Sequence, residues 1–396
     1  MGQTVVVSSG VRTAIGDFGG ALAGVAPTAL AADVAREAIG RAQIAADAVE
    51  MSVFGNVIHT EPKDMYLSRV AAITAGVPDT SPALTLNRLC GSGLQAFVSA
   101  SESILLGNAE VALAGGAESM SRSGHLNTIG RFGAKMGDVK VADMMLGALN
   151  DPFGNGHMGI TAENVADRYQ LTRDEQDSFA LSSHERASHA IDAGYFKDQI
   201  LPLTVRKGRN EITFDTDEHV RRGLTGADLE KLRPAFRKDG RVTAGNASGI
   251  NDGAAALVLM SEARAARDGA PVLATLKAYG LGGVAPDVMG LGPIPAVRQA
   301  MERAGLSVAD MAVIESNEAF AAQACAVAKE LGFDEARTNP NGGAIALGHP
   351  IGATGAIILI KLIYELRRIG GRYGLATMCI GGGQGIAVIV ENPEAS

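Results

Sequence analysis

Short apolar runs alternate with helical patterns along most of this chain, and that alternation restricts its fold more than any other feature. Val5-Val6-Val7 marks a strand over Thr4 to Ser8. Val53-Phe54-Gly55-Asn56-Val57-Ile58, Val111-Ala112-Leu113-Ala114, Gly253 to Met260, Leu273 to Ala278 and Met311 to Ile314 repeat the pattern. Helical spacing occupies Pro27 to Gly40, Leu67 to Ala75, Pro295 to Ala304 and Phe320 to Leu331. Strands so short and so uniformly apolar are buried on both faces, which predicts an α/β protein with a parallel sheet covered by helices on each side. Gly40 is expected to follow the first helix as its C′ residue, Arg12 to Gly16 to form a loop, and Gly115-Gly116 to close a strand.

From Ser121 to about Gly249 the texture changes. Strand signals weaken, and polar residues, Pro, Gly and Asn become frequent. One helix is well marked, with Thr172 and Glu175 in capping-box spacing ahead of Phe179, Ala180 and Leu181. Leu201 to Arg241 carries ten Lys/Arg against seven Asp/Glu, a local balance of +3 in a chain of −8. Such a stretch is either a solvated mixed-charge surface or a patch for an anionic ligand such as a phosphorylated cofactor. The sequence therefore predicts an insertion over residues 121–249. It separates a first half (1–120 plus 250–271) from a second half (272–396). Both halves run in the same order: a strand ending in Asn (Asn56; Asn317), a glycine turn presenting a reactive residue (Cys90; His349), and a strand ending in glycines. That order is the mark of an internal duplication.

Charge and cysteine usage exclude several classes. A net charge of −8 over 396 residues leaves no extended basic face for nucleic acid. Cys90, Cys325 and Cys379 are odd in number and far apart, which is not a disulfide framework and fits a reducing compartment. Met1 leads straight to Val5-Val6-Val7 without a basic or long apolar leader, and the apolar run Ala356 to Ile363 holds Lys361 and is too short for a bilayer. A cytoplasmic protein with no membrane partner is the expectation. Asn246-Ala247-Ser248 matches a glycosylation acceptor, but no secretory route accompanies it.

The chemistry-bearing residues gather where strands end. In Asn87-Arg88-Leu89-Cys90-Gly91-Ser92-Gly93, a strand runs into a cysteine, a glycine turn and a helix, which places the Cys90 sulfur at a helix start that favours thiolate. In Gly348-His349-Pro350, the proline suits a first helical position, so His349 is expected at a helix cap and neutral. Cys379 lies at a strand end ahead of Gly381-Gly382-Gly383, whose N–H groups are free to receive an oxyanion. Asn317 sits where a strand stops and a helix begins, and Cys325 lies among alanines in a helix interior as core. The cysteines and histidines lack short ligand spacing, so no metal is expected. Two cysteines with His and Asn suit acyl transfer followed by carbon–carbon bond formation. One thiolate takes an acyl group, and a second base prepares a carbanion to attack it.

These motifs, with Asn317-Glu318-Ala319-Phe320 and Cys379-Ile380-Gly381-Gly382-Gly383-Gln384-Gly385, resemble the four motifs of the thiolases over the whole chain. His157-Met158-Gly159-Ile160-Thr161-Ala162-Glu163-Asn164 and Ala244 to Gly249 follow the biosynthetic subgroup. The resemblance implies a duplicated α/β/α/β/α core of two similar mixed-sheet halves with an inserted loop domain. It implies reversible condensation of two acyl-CoA molecules, with CoA thioesters as substrates, no permanently bound cofactor, and a homodimer or a dimer of dimers. By the same resemblance Cys90 carries the acyl group, His349 activates it, and Cys379 is the acid/base at the α-carbon. Asn317, through a water, and His349 form one oxyanion hole, and the N–H groups of Cys90 and Gly381 form the other. His157, Met158, Arg221, Ser248, Ala319 and Phe320 line the CoA tunnel. At Gly226-Ala227-Asp228 the sequence departs from relatives that carry a CoA-contacting serine.

Two other readings compete. A decarboxylating condensing enzyme of the ketoacyl-synthase kind needs no proton-abstracting base and leaves Cys379 without a task. A non-catalytic CoA-binding scaffold has no use for all four polar residues.

Overall fold

The structure, a computed structural model, describes residues 3–395. Nine strands succeed one another along the eleven-stranded main sheet of the described residues, with two two-residue strands pairing off this path. The nine are β1 (Val5–Thr13), β2 (Met51–Gly55), β3 (Ala83–Leu86), β4 (Val111–Ser119), β5 (Asn251–Ser261), β6 (Ala274–Gly283), β7 (Met311–Ser316), β8 (Tyr373–Ile380) and β9 (Gln384–Glu391). Their spatial order is β7-β8-β9-β6-β1-β5-β4-β2-β3. The helices that matter for the site are α1 (Pro27–Arg41), α2 (Ser92–Leu105), α3 (Met158–Tyr169), α4 (Arg173–Asp192), α5 (Pro293–Ala304), α6 (Ala321–Leu331) and α7 (Thr354–Ile369).

The strand sets β1-β5-β4-β2 and β6-β9-β8-β7 follow one plan: two antiparallel pairings, then a parallel one. The sets join where Val6 and Val7 lie antiparallel to Thr275 and Ala274. Helices α2 and α7 pack on each other and on strands of both sets, α1 covers the outer side of the first set, and α5 that of the second. The layers run helix, sheet, helix, sheet, helix, and the duplication read from the order of motifs is present in the topology.

A mixed sheet replaces the parallel one expected from the apolar runs. The reason is burial: every residue of β1, β4 and β5 is buried, so these antiparallel strands carry the continuous apolar pattern of parallel ones. Each fully buried Val, Leu or Ile contributes about 1.5–3 kcal/mol. Three local expectations are also corrected. Helix α1 runs through Gly40 to Arg41 and is capped by Ala42. The stretch from Arg12 to Gly16 holds the end of β1 and the start of a two-residue strand, Gly16–Asp17, paired with β5. Gly115 and Gly116 lie inside β4, where close approach of other backbone demands them. A Cβ on Gly115 would stand 2.2 Å from the Ala255 carbonyl oxygen, and one on Gly116 2.2 Å from that of Gly352.

The same device brings the two central helices together. A Cβ on Gly93 of α2 would lie 2.7 Å from the Ala356 nitrogen, and one on Gly355 of α7 2.2 Å from the Leu94 nitrogen. The starts of α2 and α7 therefore meet. Lys361, which interrupts the apolar run of α7, is buried and paired with Glu315 at 2.8 Å, with the Gly342 carbonyl at 2.7 Å. The expected capping box of α4 is formed by Thr172 and Glu175.

Candidate active site

Cys90 sits in the tight turn between β3 and α2. Leu89, just before it, has φ +45°, a left-handed conformation that costs a non-glycine residue on the order of 1–3 kcal/mol. Side chains on either side hold that turn. Asn87 Oδ1 accepts from the Leu89 N–H at 2.9 Å. Ser92 Oγ accepts from the Arg88 N–H at 2.8 Å and donates to the Leu89 carbonyl at 2.7 Å. Burial pushes the Cys90 thiol up to about 11, and the N–H groups of Gly381 and Cys90 itself pull it only part of the way back. The expected preference for thiolate is thus reversed in this site, because desolvation outweighs the helix start.

His349 is held by its backbone. Gly348 has φ +108°, and a Cβ there would meet Asn251 Cγ at 2.5 Å. Asn251 Oδ1 accepts from the His349 N–H at 2.9 Å, and its Nδ2 donates to the Gly16 carbonyl at 3.1 Å. The helix after Pro350 begins only at Thr354, so His349 is no helix cap. It is neutral for a different reason: burial pushes its pKa down to about 4. The Nδ1 atom lies 2.7 Å from Thr354 Oγ1, and Nε2 has no partner among the described residues.

Cys379 is the next-to-last residue of β8 and is buried; burial raises its thiol pKa, with Cys90 adding to the rise. Gly382 and Gly383 have φ +82° and +89°, which turns the chain into β9 directly after Gly381. Asn317 follows β7 and donates its backbone N–H to the Thr377 carbonyl at 2.9 Å. Both polar atoms of its buried side chain lack partners among the described residues, and it borders a void of about 10 Å3 shared with Gly348 and Thr354. That is the room one water needs.

One narrow cavity of about 50 Å3 is walled by Cys90, His349, Cys379, Gly381, Met158, Ser248, Ala319 and Phe320 together. Met158 and Ser248 come from the inserted stretch; the Ser248 N–H donates to the Ala319 carbonyl at 3.0 Å. His157 is not in the wall. It stacks on Phe236 with ring centres 4.6 Å apart, and Phe236 in turn meets Phe320 edge-on at 6.1 Å. Arg221 is exposed away from the wall, its backbone N–H donating to His184 Nδ1 at 3.1 Å. Among the described residues no cluster of His, Cys, Asp and Glu is arranged to hold a metal.

Residues 5–263 match the thiolase N-terminal domain and residues 270–392 the thiolase C-terminal domain. The chain belongs to the thiolase family. This thiolase is 62% identical over 392 residues to the β-ketothiolase BktB of Cupriavidus necator, covering 99% of this chain and 100% of that one. It is 49% identical to an acetyl-CoA acetyltransferase of Rhizobium meliloti, with 98% of each chain covered. Among solved structures, human mitochondrial 3-ketoacyl-CoA thiolase superposes with a TM-score of 0.97 at 43% identity, covering 99% of each chain. The Bacillus anthracis acetyl-CoA acetyltransferase does so with 0.96 at 46%, again over 99% of each.

Several residues around the thiolase site escape sequence reasoning. Phe236, Asn251 and Thr354 carry no local signal, since each touches His157 or His349 and not the cavity itself, and neither does Met289, which lines the cavity from a segment distant in sequence. Glu118 is another: it accepts N–H groups from Asn56, Val57, Ile58 and Gly352, tying the end of β2 to the His349 segment. Burial pushes its carboxyl up to about 8, against those bonds. Cys325 lies partly buried within α6, where burial pushes its thiol up to about 12. Asn246, the glycosylation-like asparagine, is buried and donates to Asp177 and the Arg241 carbonyl, which leaves no acceptor nitrogen at the surface.

Proposed function

We propose that Cys90 carries the acyl group during catalysis and that Cys379 prepares the attacking carbanion. The protein is an acyltransferase of the biosynthetic thiolase type, acting on acyl-CoA thioesters. The observation that supports the division of labour is that two thiols and an unpartnered imidazole nitrogen share one cavity.

His349 Nε2 takes the Cys90 proton as the sulfur attacks the thioester carbonyl. Neither thiolate nor imidazolium is favoured alone in this buried site, so transfer and attack run together. CoA leaves as the thiol, carrying away that proton, and Cys90 holds a thioester. A second acyl-CoA then enters; the Cys379 thiol hands its proton to His349 Nε2, neutral again and holding it for the departing Cys90, as its sulfur removes the α-proton. The carbanion attacks the Cys90 thioester, the carbon–carbon bond forms, and Cys90 departs with the proton restored. Asn317 through a water, together with His349, receives one oxyanion, and the Cys90 and Gly381 N–H groups receive the other.

The aromatic run His157-Phe236-Phe320, with Met158, Ser248 and Ala319, forms the pantetheine path, and exposed Arg221 meets the phosphates. A solved human relative is described in complex with CoA. No resident cofactor takes part. The inserted stretch exposes Phe132 at 90%, Met136 at 95% and Phe153 at 69%, apolar surface that a second copy of the chain covers in a homo-oligomer. No helix among the described residues is long and apolar enough to cross a membrane, and the cytoplasm is the proposed location.

Incubation with acetyl-CoA and peptide mass analysis tests the assignment. One acetyl mass is expected on the Cys90 peptide, absent in Cys90→Ser. Cys379→Ala is expected to acetylate yet lose condensation. Acetylation elsewhere, or normal condensation by Cys379→Ala, would overturn the assigned roles.

A further inference from the structure

We propose that Thr354 is a positioning residue that sets the tautomer of His349. Its hydroxyl accepts the Nδ1–H and donates its own proton to the Pro350 carbonyl, which keeps Nε2 bare toward Cys90. The proposal rests on the reading of His349 as the base.

The geometry favours this arrangement by a count of bonds. His349 Nδ1 lies 2.7 Å from Thr354 Oγ1, and Oγ1 lies 2.9 Å from the Pro350 oxygen. Both side chains are buried, with relative exposures of 5% and 2%, away from bulk solvent. A neutral imidazole has one N–H. Placed on Nδ1, that proton gives two hydrogen bonds, ring to hydroxyl and hydroxyl to carbonyl. Placed on Nε2, it gives one, because the hydroxyl must then donate to Nδ1, and the Nε2–H has no acceptor among the described residues. A buried donor left without a partner is costly.

The fold holds the hydroxyl in place. Thr354 is the first residue of α7, and the next residue, Gly355, packs so closely on α2 that a Cβ would come within 2.2 Å of the Leu94 nitrogen. The residue that orients the base is thus fixed against the helix whose start carries the nucleophile. When Nε2 gains the Cys90 proton, the Nδ1–H keeps the same acceptor, so the ring does not have to turn during the step.

Nitrogen-15 spectra of histidine-labelled protein read the tautomer directly, with the His349 signal assigned by its loss in His349→Asn. The parent is expected to show protonated Nδ1 and bare Nε2; the opposite tautomer overturns the proposal whatever any variant does. Thr354→Val removes the hydroxyl at nearly constant shape. It is expected to shift the His349 signal toward the Nε2–H tautomer and to slow acetylation of Cys90 about tenfold, as for loss of one hydrogen bond. Thr354→Ser is expected to restore both readouts to within about threefold of the parent, consistent with a role for the hydroxyl alone. An unchanged tautomer and rate in Thr354→Val, or a Thr354→Ser variant as slow as Thr354→Val, would refute the role. If His349→Asn acetylates at the parent rate, the assignment of His349 as base fails instead, while the spectrum still judges Thr354.

Discussion

Replacing Gly116 by alanine tests how the scaffold places His349. A Cβ at that position in β4 stands 2.2 Å from the Gly352 carbonyl oxygen and 3.0 Å from Ala353 Cα. Carbon and oxygen settle at about 3.3 Å or more, so one of the two backbones must retreat by about 1 Å. The oxygen has little room to slide sideways, because a Cβ on Gly55 would lie 2.9 Å from it and one on Gly93 3.2 Å. β4 is hydrogen-bonded on both edges, to β5 and β2, and is the stiffer partner. The segment between His349 and Thr354 therefore yields, taking the imidazole with it. Overpacking of this kind costs about 1–3 kcal/mol, and a 1 Å misplacement of a reacting group costs about 100-fold in rate. Rapid-quench acetylation of Cys90 and thermal unfolding measure the two effects. Gly40→Ala is the control: its Cβ meets nothing within 4 Å and lies inside α1, so a gain of about 0.5–1 kcal/mol with unchanged acetylation is expected. A Gly116→Ala protein that acetylates within about threefold of the parent would show that crowding at Gly352 does not reach the base, and the reasoning would fail.

Two further outcomes follow from the site. Because burial holds His349 at about 4, the base stays unprotonated well below the ordinary histidine range, and the acid limb of Cys90 acetylation should fall near pH 4 rather than 6.5. In the unfolded chain the same histidine takes its proton near 6.5, so its stabilising contribution is complete above that pH and is lost as pH falls from 6.5 to 4; urea midpoints against His349→Asn check the sign. Asn251→Ala removes the acceptor of the His349 N–H and the donor to the Gly16 carbonyl. About 2–4 kcal/mol of stability should be lost in urea unfolding, with slower acetylation, since a buried N–H is left unpaired.

Much of this protein is determined by short stretches of sequence. Alternating apolar strands and helices dictate a layered α/β body, since no other arrangement buries both faces of such strands. The candidate reactive residues are also legible, because Cys90, Asn317, His349 and Cys379 each stand near a glycine or an element boundary, although the fold buries the last three. Strand direction lay beyond reach, as double burial erases the difference between parallel and antiparallel patterns in β1, β4 and β5. Protonation also lay beyond reach. A helix start argues for thiolate at Cys90, yet enclosure by residues from β8, α7 and the inserted stretch pushes the thiol to about 11. His349 is neutral through burial and not through a helix cap, and its Nδ1 lies against a hydroxyl five residues on. Local chemistry chose the reacting groups. Only tertiary packing, of α2 on α7, of β8 and of the inserted stretch, decided where they meet and which protons they hold, because desolvation and hydrogen-bond partners belong to the folded chain.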